Sequence, residues 1–259
     1  MLLAFLLSLA YLYKSWTHVG RDPEAGTVFP HYEPPKGYSP ASTRYISKMG
    51  YDNKAFSAAI INLAVKGYLT ISKIGDEYTL SKKVSDGRLA AGEKILLTTL
   101  FNKEDTIALD PENLTTISKA KKAHSAALKN DYNKIYFNLN SFVLLPSLLG
   151  TLILFSIVAV TGALTPMAGI LFVLTDVLHV VFFFLMRAPS IKGRRLLDRL
   201  EGFRLYLEVA EQDDLNLKNP PDRTPELFES YLPFALALGV EQAWAEQFTE
   251  VFAKLEIEQ

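Results

Sequence analysis

From Ile135 through Thr175 the chain runs for 41 residues without an Asp, Glu, Lys, Arg or His. A helix needs about 20 apolar residues to cross roughly 30 Å of hydrocarbon, so the run is long enough for two crossings. Gly162-Ala163-Leu164-Thr165-Pro166 divides it with turn chemistry. We read two spans of 21 residues each, Ser141–Thr161 and Pro166–Met186, joined by a very short turn. Pro166 suits the first position of a helix, where an N–H is not needed. Pro146 is expected to kink the first span near its start. The competing reading is a buried hairpin in a soluble core, and the length and uniform apolarity of the run speak against it.

Met1–Tyr13 is also apolar but short, ending at Lys14, with Trp16 suited to an interface. It lacks the charged start and small-residue cleavage pattern of a signal peptide, so residues 1–16 are expected to form an N-terminal transmembrane anchor. Basic residues then set the orientation. Lys14 and Arg21 follow the first segment, Lys129 and Lys134 precede the second, and Arg187, Lys192, Arg194 and Arg195 follow the third. The turn between the second and third carries no charge. Every polar block is thereby placed on the same, cytoplasmic side. Arg187, Lys192, Arg194 and Arg195 are also candidate contacts for anionic lipid headgroups, beyond setting orientation.

The whole chain has 27 basic and 28 acidic side chains, so net charge steers it toward neither nucleic acid nor anionic lipid. It has no cysteine, which excludes a disulfide framework, a thiolate zinc site and thiol catalysis. A proline-rich extended leader occupies residues 17–37. Residues 38–134 then read as two helices and a β-hairpin. Ser39 caps a helix that starts at Pro40 and ends by Gly50, and a second helix covers Lys54–Lys66. Strands Tyr68–Lys73 and Glu77–Lys82 flank Gly75-Asp76. This is the outline of a winged helix-turn-helix. A short helix, Glu93–Phe101, and a longer one from Asp110-Pro111 follow, and the longer one is expected to run unbroken into the membrane.

On the winged-helix outline the contact surface would be Lys54, Ser57, Asn62, Lys66, Lys82 and Lys83. That is a modest basic supply, with no arginine on the reading helix to pair with guanine, so protein contact is favoured over DNA. Residues 187–259 read as an α-helical segment: Arg194–Glu211, then a helix capped by Thr224-Pro225, interrupted at Pro233 and ended by Gly239, then Glu241–Lys254.

No phosphate loop, nucleophile elbow or metal-spaced histidine pair is present. His18, His31, His124 and His179 are scattered, and Asp76-Glu77 and Asp213-Asp214 read as turns or surface. No catalytic, cofactor-binding or metal residue is assigned, and the chain is read as not an enzyme. The most specific oddity is Asp176 with His179 inside the third span. Three residues apart on a helix puts them on one face and within hydrogen-bonding reach. Such groups mark a proton relay, a contact to a neighbouring helix or subunit, or a pair that fixes packing, and the packing role is favoured.

Several long strings carry a family resemblance: GRDPEAGTVFPHYEPPKGYSPASTRYI, GYDNKAFSAAIINLAVKGYLTI, GRRLLDRLEGFRLYLEVAEQDDL and PPDRTPELFESYLPFALALGVEQAWAEQF. Together they resemble the YciQ-like family of bacterial predicted membrane proteins of unknown function, over nearly the whole chain. The resemblance implies an outward-facing β-rich domain, a span, a cytoplasmic domain, a two-helix hairpin (residues 141–186) and a cytoplasmic helical segment. Against that layout the outward domain is missing here, which would account for the short first span. The resemblance supplies architecture and no reaction.

The expectation is therefore a mainly α membrane protein. It has three transmembrane helices, an α+β winged-helix-like cytoplasmic domain and an α-helical C-terminal segment. Functionally it reads as a membrane-anchored protein-interaction or assembly module whose partners are the lipid bilayer and other proteins or itself. The alternatives are a membrane-tethered DNA-binding regulator, and a transporter subunit using Asp176 and His179.

Overall fold

The computed structural model describes residues 1–75, 77–209, 221–249 and 251–253. In chain order, α1 (Leu2–Val19) precedes α2 (Pro40–Ser47), α3 (Asn53–Val65), β1 (Leu69–Ile74) and β2 (Glu77–Lys82). Then come α4 (Ala91–Leu100), β3 (Thr106–Ala108), α5 (Leu114–Tyr132) and β4 (Phe137–Asn138). A 3-10 helix, Ser141–Leu144, leads into α6 (Leu145–Val160), followed by α7 (Pro166–Leu185), β5 (Ala188–Pro189) and α8 (Ile191–Glu208). The described chain ends with α9 (Pro225–Leu238) and α10 (Glu241–Glu246). Two compact units result: Met1–Glu24 with Lys134–Arg194, and Ala25–Asn133 with Arg195–Gln259.

The first unit is built on α1, α6 and α7. Two helical stretches, Ser141–Val160 and Pro166–Leu185, are long and apolar enough to cross a membrane. Most of their side chains face outward, as Leu152, Ile153, Val173 and Val177 do, the pattern of a lipid-facing surface rather than a soluble core. Thr165 caps α7 by accepting from the Ala168 N–H, with Pro166 in the first turn. Pro146 falls in the first turn of α6, near the start of the apolar span. It stands at the second position, where the 3-10 turn hands over to the α-helix, so its missing N–H is absorbed at the change of pitch.

Leu12 of α1 is fully buried against Leu144, Phe182 and Met186. The Tyr11 hydroxyl donates to the Val143 carbonyl at 2.9 Å. At the end where α1 and α7 both finish, Asn140 donates to Val19 O at 2.7 Å and to Met186 O at 3.0 Å. Helices α1 and α7 therefore run parallel, with α6 antiparallel to both. Beside them β4 and β5 pair antiparallel, Phe137 with Pro189, and Ser190 accepts from Gly193 N to start α8.

In the second unit, Ser39 caps α2 and Asp52 caps α3 through the Ser42 and Ala55 N–H groups. Strands β1, β2 and β3 form an antiparallel sheet in that order. The third strand is too short for an alternation signal, and the sequence reading missed it. Helix α9 packs across α2 and α3. Arg44 of α2 grips Asp52 through Nε and Nη2, and its Nη1 donates to Ala237 O of α9 at 3.1 Å. That guanidinium holds the Asp52 carboxyl below its ordinary range. A second core joins Phe203, Tyr206 and Leu207 of α8 to Ala235, Val240, Trp244 and Phe248.

Several sequence expectations need correction. Helix α5 starts at Leu114, because Asp110 spends its carboxylate on the Asn113 N–H in a preceding turn. It does not run into the membrane: it ends at Tyr132, and Lys134 turns the chain with a positive φ of 63°. Pro233 lies inside α9 without interrupting it. Asp76 and the pair Asp213-Asp214 fall outside the described residues.

Candidate functional site

In the first unit the polar groups gather in a seam between α6 and α7. His179 is 4% exposed. Its Nδ1 lies 2.7 Å from the Thr175 carbonyl, one turn back on the same helix. Its Nε2 lies 2.9 Å from Ser147 Oγ on α6. A carbonyl can only accept, so in the neutral ring Nδ1 carries the proton and Nε2 accepts from the Ser147 hydroxyl.

Ser147 and His179 are each 16 residues from Ala163 at the hairpin tip, so an antiparallel hairpin sets them level. That symmetry was available in the sequence, and Ser147 was overlooked because a lone serine in an apolar run carries no motif.

The expected pairing of Asp176 with His179 is not what the structure places. His179 turns inward to Ser147, while Asp176 is exposed, about 60° round the helix from it. Its neighbours there are Val173, Val177 and Val180, at 63, 55 and 58% exposure. Spacing of three residues puts two side chains within about 60° of one another on a helix, and here the inward edge lies between them.

Of the basic group after α7, Arg187 lies 5.1 Å from the Phe183 and Phe184 rings, and Lys192 sits 5.0 Å over Tyr136. Arg21 stacks 5.5 Å over Trp16. These cation–aromatic pairs suit the end of a membrane bundle, where amphipathic rings meet basic heads. Arg194 is half-buried in the first turn of α8, and Arg195 is exposed.

In the second unit the proposed contact surface is largely spoken for. Lys54 pairs with Glu241 at 2.5 Å, and Lys66 with Glu93 at 3.3 Å. Asn62, expected to be exposed, is buried and donates to Glu93 Oε1 at 2.5 Å. Lys82 makes an exposed pair with Asp105, while Ser57 and Lys83 are exposed. Glu93, fully buried, is the acceptor that organises this corner and also caps α4 at Ala90 N. His124 is fully buried and shares a 3.0 Å hydrogen bond with Tyr51 through Nδ1, leaving Nε2 without a partner. Burial pushes the His124 pKa down to about 4. No group of three or more metal-ligating side chains occurs among the described residues.

The described chain is mainly helical, with two helices long and apolar enough to cross a membrane. Residues 29–248 match the family model described as "Predicted membrane protein (DUF2207) C-terminal domain", and the chain belongs to that family. It is similar to "Uncharacterized protein YciQ" of Escherichia coli (strain K12), with 34% identity over 82 residues. That match takes in 29% of this chain and 13% of the relative's length. No solved structure matches the chain.

Proposed function

We propose that the chain is a membrane-anchored assembly module that recruits another integral membrane protein through the outward face of α7. The observation that carries this is Asp176. A carboxyl at the middle of a membrane helix is costly unless it meets a donor or a base, and such groups turn toward protein or water rather than lipid. Asp176 instead is exposed, beside Val173, Val177 and Val180 at the edge of its own bundle. Helices α6 and α7 contain no lysine, arginine, asparagine or glutamine, and their one imidazole, His179, is buried against Ser147, so a second copy offers no free amide or base at that depth. The occupant is a membrane helix of another protein bearing such a group. Gly169 supports close approach, since nothing lies within 4 Å of where its Cβ would be.

On this reading α1 is a third span, with the Trp16, Arg21, Arg187 and Lys192 end at the cytoplasmic face of a bacterial inner membrane. Residues 38–134 are a winged-helix-like domain, a reading supported by the α2–α3–β1–β2 order and by β3 pairing beside β2. DNA reading by α3 is disfavoured by the ion pairs of Lys54 and Lys66 and by α9 packed across the helix.

A photo-crosslinking residue at Val173 or Val180, in the full chain in native membranes, tests this. The expected result is a discrete adduct to another membrane protein, lost in Asp176→Leu and retained in Asp176→Asn. An adduct pattern unchanged in Asp176→Leu contradicts the proposal.

A further inference from the structure

We infer that Ser147 and His179 form the nucleophile and general base of a membrane-embedded acyl hydrolase acting on esters of hydrocarbon-chain lipids. The inference is independent of the assembly role of Asp176, whose side chain is exposed whereas His179 is buried against α6.

The geometry meets the requirements of an activated serine in sequence. The nucleophile and base are within hydrogen-bond reach at 2.9 Å, and the base is oriented by a third group, the Thr175 carbonyl, at 2.7 Å. The carbonyl fixes the tautomer that leaves Nε2 free to take the serine proton. The neighbouring hydroxyls behave differently. Thr151 donates to Ser147 O, Thr175 to Leu171 O and Tyr11 to Val143 O. Each spends its proton on a backbone carbonyl, as hydroxyls in membrane helices commonly do, whereas Ser147 donates to a titratable ring.

Ser147, 9% exposed, forms part of the wall of a cleft of about 320 Å³ between α1, α6 and α7, with Tyr11, Leu154, Phe172 and Thr175 among its other walls, and His179 lies behind it. The lining is mainly apolar, which selects a hydrocarbon chain, and the few hydroxyls suit the polar ester that such a chain carries.

The chemistry balances with water as the second substrate. Ser147 Oγ bonds to the ester carbonyl carbon as its proton passes to His179 Nε2. The carbon–alkoxy bond then breaks, and the departing alcohol takes that proton. Water next attacks the acyl-serine, giving a proton to Nε2. The carboxylic acid leaves, and Nε2 returns the proton to Oγ. Motif searches miss such a dyad because its members lie 32 residues apart and meet only through the hairpin.

The test uses the full chain in lipid nanodiscs and a fluorophosphonate carrying a dodecyl chain, with the labelled residue mapped by mass spectrometry. The expected result is a single adduct on Ser147 of the wild-type protein, formed about 100-fold more slowly or not at all in His179→Gln. Mapping on the wild-type chain keeps the test decisive even where a variant folds poorly. No adduct on the wild-type chain, an adduct on another residue only, or an unchanged labelling rate in a folded His179→Gln protein would overturn the inference.

Discussion

The side-chain amide of Asn140 donates to the Met186 carbonyl at 3.0 Å, and also to the Val19 carbonyl at 2.7 Å. One residue thus satisfies carbonyls at the C-terminal ends of two helices, groups that have no intrahelical partner. Asn140 itself sits at φ 50°, a left-handed conformation that asparagine tolerates better than most residues. Asn140→Leu loses both bonds and should lower the bundle's unfolding free energy by about 1–3 kcal/mol, measured by denaturant titration in detergent. An unchanged midpoint would show that the clamp is incidental.

Two glycines are required by close approach. A Cβ on Gly193 would collide with the Tyr136 carbonyl oxygen, and one on Gly202 with the Phe29 carbonyl oxygen. Gly193→Ala and Gly202→Ala should each destabilise by about 1–3 kcal/mol or more. Gly150 and Gly169 lie inside helices with open space at the Cβ position. Alanine there should be neutral or slightly stabilising. Thermal midpoints of the four variants make the comparison, and equal effects at all four positions would contradict the packing described.

Glu93 is buried with Asn62 and Lys66 as partners. Glu93→Ala strands the buried Asn62 amide and should cost about 2–4 kcal/mol, whereas Glu93→Gln keeps an acceptor and should cost less. Urea unfolding of the two variants separates them. Equal losses would mean that volume, not hydrogen bonding, decides.

His124 gives the second unit an acid-sensitive core. Its pKa falls from the ordinary 6.5 to about 4 on burial. Between those values the unfolded chain binds a proton that the folded chain refuses. Stability is therefore complete above pH 6.5 and declines as the pH drops toward 4, by up to about 3 kcal/mol. His124→Phe should flatten that part of the profile. Wild-type and variant unfolding midpoints at pH 7 and pH 4.5 check it, and parallel acid losses would assign the effect to other groups.

Much of the local architecture was legible because it rests on short-range rules. Ser39 and Thr224 cap the helices they were expected to cap, Pro166 opens α7 as expected, and Gly239 ends α9 at φ 78°. The long uncharged run gave the two apolar helices to within one residue at their far ends. What escaped depends on contacts distant in sequence. Strand β3 is three residues long and exists through pairing with β2. The small sheet of β4 and β5 joins residues about fifty apart. Asn62 sits on the exposed arc of α3 by periodicity alone, and Glu93 draws it inside. At the candidate site, His179 was visible as an oddity, but its partner was misassigned: sequence proximity favoured Asp176, and the hairpin supplied Ser147.

On the proposed topology, both polar blocks stand on one side of a membrane crossed by α6 and α7. The chain has no native cysteine, so single cysteines report topology without background. Ala163→Cys lies in the α6–α7 turn, and Lys103→Cys and Glu229→Cys lie in the two polar blocks; all three positions are exposed. With a membrane-impermeant maleimide on intact spheroplasts, Ala163→Cys should label at once, and the other two only after lysis. Labelling of Lys103→Cys or Glu229→Cys before lysis, or protection of Ala163→Cys, would contradict the account.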